Sequence, residues 1–306
     1  MEMREFTLML EGDLNLACRE YRPEGEPLGI VQVIHGVAEH QGRYAVFARF
    51  LAEKGFAVYT SDLPGHGPAA AENGSLGRFP KGGWMRVAET QHSLLQRAKE
   101  RWPGKPAFLF GHSMGSFLAR TCIIRWPGEL QGCIICGTGH QTPALVRAGT
   151  AAAGLSVKLK GADRSSEFLR KLAFGSYNKR IPHAASPNAW LSRDQSVTEG
   201  YDGDPLCGFT PSAGLMREMM RGIRFITDPE KQKRMDPELP ILFIAGAEDP
   251  VGEYGSGVRR AHTSFRRAGM KHTDMILYPD DRHEVLNELD RDTVFADVLA
   301  WLQAQL

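Results

Sequence analysis

The stretch AFLFGHSMGSFLARTCIIR, residues 107–125, decides the fold. Its first part, AFLFGHS (107–113), is a short apolar run of buried-strand length. From Met114 to about Arg125 the chain reads as a helix. Between them stands GHSMG, 111–115, a G-x-S-x-G string. In a chain with 33 glycines the string alone is weak. Its setting gives it weight: a sharp turn from strand to helix lifts a serine Oγ clear of a sheet. Gly111 and Gly115 leave room where the backbone turns tightly. The competing reading is a glycine-rich turn with an idle serine.

Outward from this stretch the chain alternates strands and helices. LGIVQVIHG (28–36), FAVYTSDLPGHG (56–67, running into a Pro/Gly loop) and LQGCIICGTG (130–139) read as strands. Helical spacing marks 43–54 and 84–101. Further on, ILFIAGAED (241–249) and HTDMILYP (272–279) are strands, with helices over 255–268 and 291–305. Segments 3–10 and 15–22 suit an antiparallel hairpin on the sheet edge. The pattern predicts an α/β fold with a mostly parallel, doubly wound sheet. Residues 140–235 break the rhythm and are too long for a simple loop. They are expected to form an inserted, mainly helical cap on a core made of 1–139 and 236–306. Within the cap, AGLMREMMRGIRFI (213–226) lines up Leu215, Met216, Met219, Met220 and Ile223 on one helical face.

The 306 residues carry 37 Lys+Arg against 36 Asp+Glu, with 42% apolar and 24% charged residues. That is the balance of a globular chain and not of a disordered one. A net charge of +1 gives no general attraction for nucleic acid or anionic membranes. No apolar run is long enough for a membrane span. Charges at Glu2, Arg4, Glu5, Glu11 and Asp13 interrupt the N-terminal stretch, so no signal peptide is expected. The 5 cysteines, an odd count, are expected as free thiols in a reducing, cytoplasmic compartment. Cys133 and Cys136 form a CxxC, but on a strand residues three apart point to opposite faces, and no second pair completes a zinc site.

A serine hydroxyl needs a base within hydrogen-bond reach, and the base needs a group that holds its tautomer. In doubly wound hydrolases the chain order is serine, acid, histidine, each at the carboxyl end of a strand. Strand 241–249 ends in Glu248 and Asp249, and the next strand leads to His283. Asp249 is favoured over Glu248. Asp280 and Asp281, being loop acids, are expected to stay solvated. His262 lies in a helix and His272 at the wrong end of a strand. Oxyanion donors are expected from the backbone N–H of Met114, at a helix start, and of Val37, in HGVAEHQGRY (35–44). His35, Glu39 and His40 lack the spacing of a zinc protease site and are expected to shape that loop by hydrogen bonds.

In this order HGVAEHQGRY, DLPGHG, GHSMG, AGAEDPV and DDRHEVLNE resemble the monoacylglycerol lipase and lysophospholipase branch of the α/β-hydrolase superfamily, over about 28–140 and 240–305. The resemblance implies Ser113 as nucleophile, Asp249 and His283 as its partners, Val37 and Met114 as oxyanion donors, and a cap that shapes the acyl pocket. After DLPGHG the chain reads PAAAENG, where the family usually continues with Ser and Asp. The stripe of Leu215, Met216, Met219 and Met220 has two readings: an acyl-tunnel lining, or ordinary packing of the cap on the core. Trp190, Leu206 and Phe209 share that ambiguity, and KQKR (231–234) reads as a solvated face.

The expected activity is a serine hydrolase acting on carboxylic esters, of monoacylglycerol or lysophospholipid type. It needs no metal and no organic cofactor. Its partner is a small ester or lipid substrate, with transient contact to a lipid surface. One alternative is amide or peptide cleavage, with Asp163, Glu167, Asp194, Glu199, Asp202 or Asp204 anchoring a substrate amine. The other is a ligand-binding scaffold without chemistry.

Overall fold

Apolar runs with no polar phase belong to strands covered on both faces, and the sheet is built from them. The computed structural model describes residues 1–12 and 14–306; Asp13, one of the charges noted above, lies outside them. The chain opens with the expected antiparallel hairpin, β1 (Glu2–Leu10) and β2 (Leu14–Arg22), on one edge of an 8-stranded sheet. Then follow β3 (Gly29–Ile34), α1 (Ala45–Glu53), β4 (Phe56–Ser61), α2 (Gly67–Glu72), α3 (Gly83–Arg101), β5 (Ala107–His112), α4 (Met114–Arg125) and β6 (Gly132–Cys136). Sheet order is β1-β2-β4-β3-β5-β6, completed by β7 (Ile241–Gly246) and β8 (Thr273–Tyr278). From β4 to β8 all neighbours are parallel. Every residue of β3 to β7 is buried.

Two apolar layers sandwich the sheet. Phe47 and Leu51 of α1 pack on one face with Phe295 and Val298 of the C-terminal helix (Arg291–Ala304). Val87 of α3, Leu118 of α4 and Phe265 of the helix Ser256–Arg267 pack on the other. Strand β6 contributes Cys133 and Ile135 to the second layer, and Ile134 and Cys136 to the first. The CxxC thiols therefore stand on opposite sides of the sheet, and all described cysteines are free and buried. The Pro/Gly loop at the end of DLPGHG leads into the short helix α2. Pro68 fixes φ in its first turn, and the alanines 69–71 favour helix.

Between β6 and β7 the chain adds helices and no strand to the sheet: α5 (Pro143–Lys160), α6 (Glu167–Phe174), α7 (Gln195–Gly203), α8 (Ala213–Ile226) and α9 (Pro229–Gln232). Helix α8 is a crossover helix that packs directly on α3 and α4. Its Gly222 lies against buried Trp84, where an added Cβ would fall 2.2 Å from Cε2 of the indole. The indole is fixed by its N–H donating to Thr121 Oγ1 at 3.0 Å. In a helix interior Gly→Ala normally gains about 1 kcal/mol. At this position we expect the sign to invert: Gly222→Ala loses about 1–3 kcal/mol through overpacking, read as a lower urea midpoint with unchanged slope.

Candidate active site

At the end of β5 the chain turns on Ser113, whose φ of 54° and ψ of −120° are rare for a residue with a side chain. Close approach enforces the turn. A Cβ on Gly111 would sit 2.3 Å from the Gly115 carbonyl oxygen, and one on Gly115 would sit 2.1 Å from that of Ile34. Ser113 N–H donates to Cys136 O at 3.0 Å, tying the turn to β6. Ser113 then lies in the wall of a cavity of about 500 Å³.

His283, in the loop after β8, lines the same cavity. Its Nδ1 is 3.0 Å from Asp249 Oδ2, and both side chains are buried. A carboxylate only accepts, so Nδ1 carries the proton and Nε2 keeps its lone pair. Asp249 Oδ1 in turn accepts from Val251 N–H at 2.8 Å. Glu248, the competing acid, is exposed. The backbone of His283 is held twice: its N–H donates to Trp190 O at 3.3 Å, and its carbonyl accepts from His112 Nε2 at 3.2 Å.

Val37 and Met114 also line the cavity. The loop after β3 runs against Ser113, since a Cβ on Gly36 would come within 3.0 Å of Ser113 Cβ. His35 orients this loop. Its Nε2 accepts from Leu63 N–H at 2.9 Å, so Nδ1–H donates to Gly36 O at 2.7 Å. Burial lowers the pKa of His35 and favours this neutral form. The Gly36 carbonyl and Val37 N–H share one peptide plane and point in opposite directions. Holding the first aims the second. Ala38 follows with φ of 56°, a left-handed conformation that costs a non-glycine residue about 1–2 kcal/mol.

Beneath the loop lies a buried ionic network. Glu39 accepts from Gly36 N–H at 2.5 Å, Tyr44 OH at 2.8 Å and Arg43 Nη1 at 2.9 Å. Burial would raise its pKa, but His112 and Arg43 hold it well below the usual carboxylate range. Arg43 forks onto Glu284, with Nη2 2.7 Å from Oε2. For His112, burial favours the neutral ring, and the hydrogen bond and charge of Glu39 outweigh it and raise the pKa. His40 shapes the loop as well: Nδ1 accepts from Gly42 N–H at 3.2 Å, and Nε2 pairs with Asp204 at 2.8 Å.

The rest of the cavity wall is largely apolar. Met216, Met219, Met220 and Ile223 line it, as do Trp190 and Phe209. Leu215 is fully buried in the core and is not in the wall, and neither is Leu206. One turn of α8 therefore divides its apolar residues between core and cavity. Asp163, Glu167, Asp194, Glu199, Asp202 and Asp204 are all outside the wall. Its carboxylates, Glu39 and Glu284, share the Arg43 guanidinium as a common ion-pair partner.

Asp281 departs from expectation. It is buried and not solvated, because Arg193 reaches in from between β6 and β7 to bind it at 2.5 Å, with Glu288 at 3.0 Å and Asp290 at 2.7 Å. Burial, then Asp290 and Glu288, push the Asp281 pKa up to about 8. Between pH 4 and 8 the folded chain thus holds a proton that the unfolded chain has released, and stability falls as pH rises. We expect Asp281→Asn to flatten that fall, measured as the difference in Tm between pH 5 and pH 8.

Residues 25–290 match the family described as serine aminopeptidase, S33. The monoacylglycerol lipase of Mycolicibacterium smegmatis is 27% identical over 96% of this chain and 95% of its own length. The human monoglyceride lipase is 27% identical over 94% of this chain and 86% of its own. Among solved structures, a thermostable carboxyl esterase from Bacillus coagulans in complex with glycerol superposes with a TM-score of 0.92 at 30% identity, covering 99% of both chains. A lipase in an open form gives a TM-score of 0.90 at 26% identity and the same coverage. The chain belongs to the serine aminopeptidase S33 family, in the monoacylglycerol lipase-like branch of the α/β-hydrolases.

Proposed function

We propose that this carboxylic ester hydrolase cleaves monoacylglycerol- or lysophospholipid-like esters through Ser113, His283 and Asp249. The observation that carries the reading is one apolar cavity with Ser113 and His283 in its wall and Asp249 hydrogen-bonded behind the imidazole. Ser113 Oγ attacks the ester carbonyl while His283 Nε2 takes its proton. The N–H groups of Val37 and Met114 stabilise the oxyanion. His283 then protonates the departing alcohol, leaving an acyl-enzyme, and water activated by the same imidazole releases the acid. Asp249 holds the tautomer and stabilises the imidazolium.

Residues 140–235 act in this scheme as the cap, and Met216, Met219 and Met220 as a deformable acyl lining. Leu145 and Leu172 are exposed at the cavity margin, with Leu155, Leu159 and Phe168 exposed on the same two helices, α5 and α6. These exposed apolar side chains suit transient contact with a lipid surface. Five buried, free thiols fit a reducing, cytoplasmic setting. Amide cleavage is disfavoured because none of the six acids expected to anchor an amine lies in the cavity wall, and the two carboxylates that do, Glu39 and Glu284, are engaged by Arg43.

Ser113→Ala is expected to lower kcat for p-nitrophenyl butyrate by about 10⁴-fold or more, and Asp249→Asn by about 10⁴-fold. A Ser113→Ala protein with wild-type turnover would refute the assignment. Matched esters and anilides separate the two chemistries, with the ester expected to be turned over faster. Met219→Trp is expected to reduce kcat/KM for long acyl esters at least tenfold while short acyl esters keep theirs within about threefold; equal losses across chain lengths would remove Met219 from the acyl path.

A further inference from the structure

The strained residue of the oxyanion loop is gripped from outside the sheet domain. Ala38 C=O accepts from Tyr201 Oη–H at 2.8 Å and from Gly208 N–H at 2.9 Å. Tyr201 lies on α7 and Gly208 just beyond it, both in the helical stretch between β6 and β7. Both Tyr201 and Ala38 are 7% exposed, so water competes poorly for these bonds. On the other side of Val37, His35 pins the Gly36 carbonyl at 2.7 Å. Val37 is thus bracketed by anchored carbonyls, one held from the sheet and one from the helical stretch. Without the Tyr201 bond the Ala38 carbonyl is held by Gly208 N–H alone, and any relaxation of Ala38 toward negative φ swings the Val37–Ala38 peptide and shifts the Val37 backbone that carries the N–H.

We infer that Tyr201 is a positioning residue: its hydroxyl, together with Gly208 N–H, holds Ala38 in the left-handed conformation and so fixes where Val37 stands, while His35 sets the direction of the Val37 N–H toward the developing oxyanion. This rests on the reading of Val37 as an oxyanion donor. The hydroxyl is separable from the ring. The Tyr201 ring lines the cavity and carries the Arg43 guanidinium 4.8 Å above its centre. Tyr201→Phe keeps both of these contacts and deletes only the bond to Ala38. Interactions that act on the tetrahedral state alone appear in kcat and not in KM.

The test compares Tyr201→Phe, Ser113→Ala and the unaltered full-length chain on p-nitrophenyl butyrate, with competent sites counted by fluorophosphonate titration. We expect kcat per competent site to fall about tenfold in Tyr201→Phe, a fraction of the effect of deleting an oxyanion donor, with KM within twofold. An aryl boronic acid, which forms a tetrahedral adduct on serine, should lose affinity by the same factor, while butyrate should bind unchanged. Unchanged kcat per site overturns the inference. A loss carried by KM alone also overturns it and makes the hydroxyl a substrate contact. Both results leave the assignment of Ser113 standing as long as Ser113→Ala is inactive. Activity in Ser113→Ala instead removes the underlying reading.

Discussion

The site depends on how closely three backbone segments approach one another at Ser113. Gly111 and Gly115 have no side chains because the carbonyls of Gly115 and Ile34 occupy the space a Cβ would need. That proximity brings the end of β5, the start of α4 and the exit of β3 together, and it holds Ser113 at a φ few side-chain-bearing residues adopt. Strain of this kind persists only where the surroundings over-determine it. Here the parallel sheet supplies the determination, with β3 and β5 paired in register up to Ile34 and Gly111.

Around the turn, the loops are fastened by long-range contacts. Arg43 joins the loop after β3 to Glu284, next to His283, and His112 links Glu39 to the His283 carbonyl. Breaking one partner of such a buried pair costs about 3–5 kcal/mol, because the remaining charge is stranded. Residues between β6 and β7 fasten the same loops from the other side. Leu191 and Arg193 hold the segment 282–290, and Tyr201, Asp204 and Gly208 hold the segment 38–40. Helices that enclose the cavity therefore also set the geometry beneath it.

Much of this is legible in the sequence. Unbroken β-branched runs marked the central strands, and the edge hairpin followed from two extended segments of matched length. Ser113, Asp249 and His283 could be proposed because each stands just after a strand run, where side chains collect above a parallel sheet. Arg43 stands in HGVAEHQGRY and Glu284 in DDRHEVLNE, yet their pairing spans 241 residues and leaves no local signal. Asp281 misled for a related reason: a loop acid is solvated unless a distant residue such as Arg193 covers it. The α8 stripe could not be apportioned from periodicity, since Met216 and Leu215 differ by one step around a helix that touches both core and cavity.

The split of Cys133 and Cys136 across the sheet has a practical corollary. Thiols separated by a layer of backbone cannot reach the Cβ spacing a cross-link needs unless β6 leaves the sheet. Oxidants will therefore not staple this pair in the native state, and alkylation at Cys133 and Cys136, which are fully buried within β6, becomes a clock for opening of the sheet. Maleimide uptake would time the unravelling of the central strand, independent of any catalytic assay.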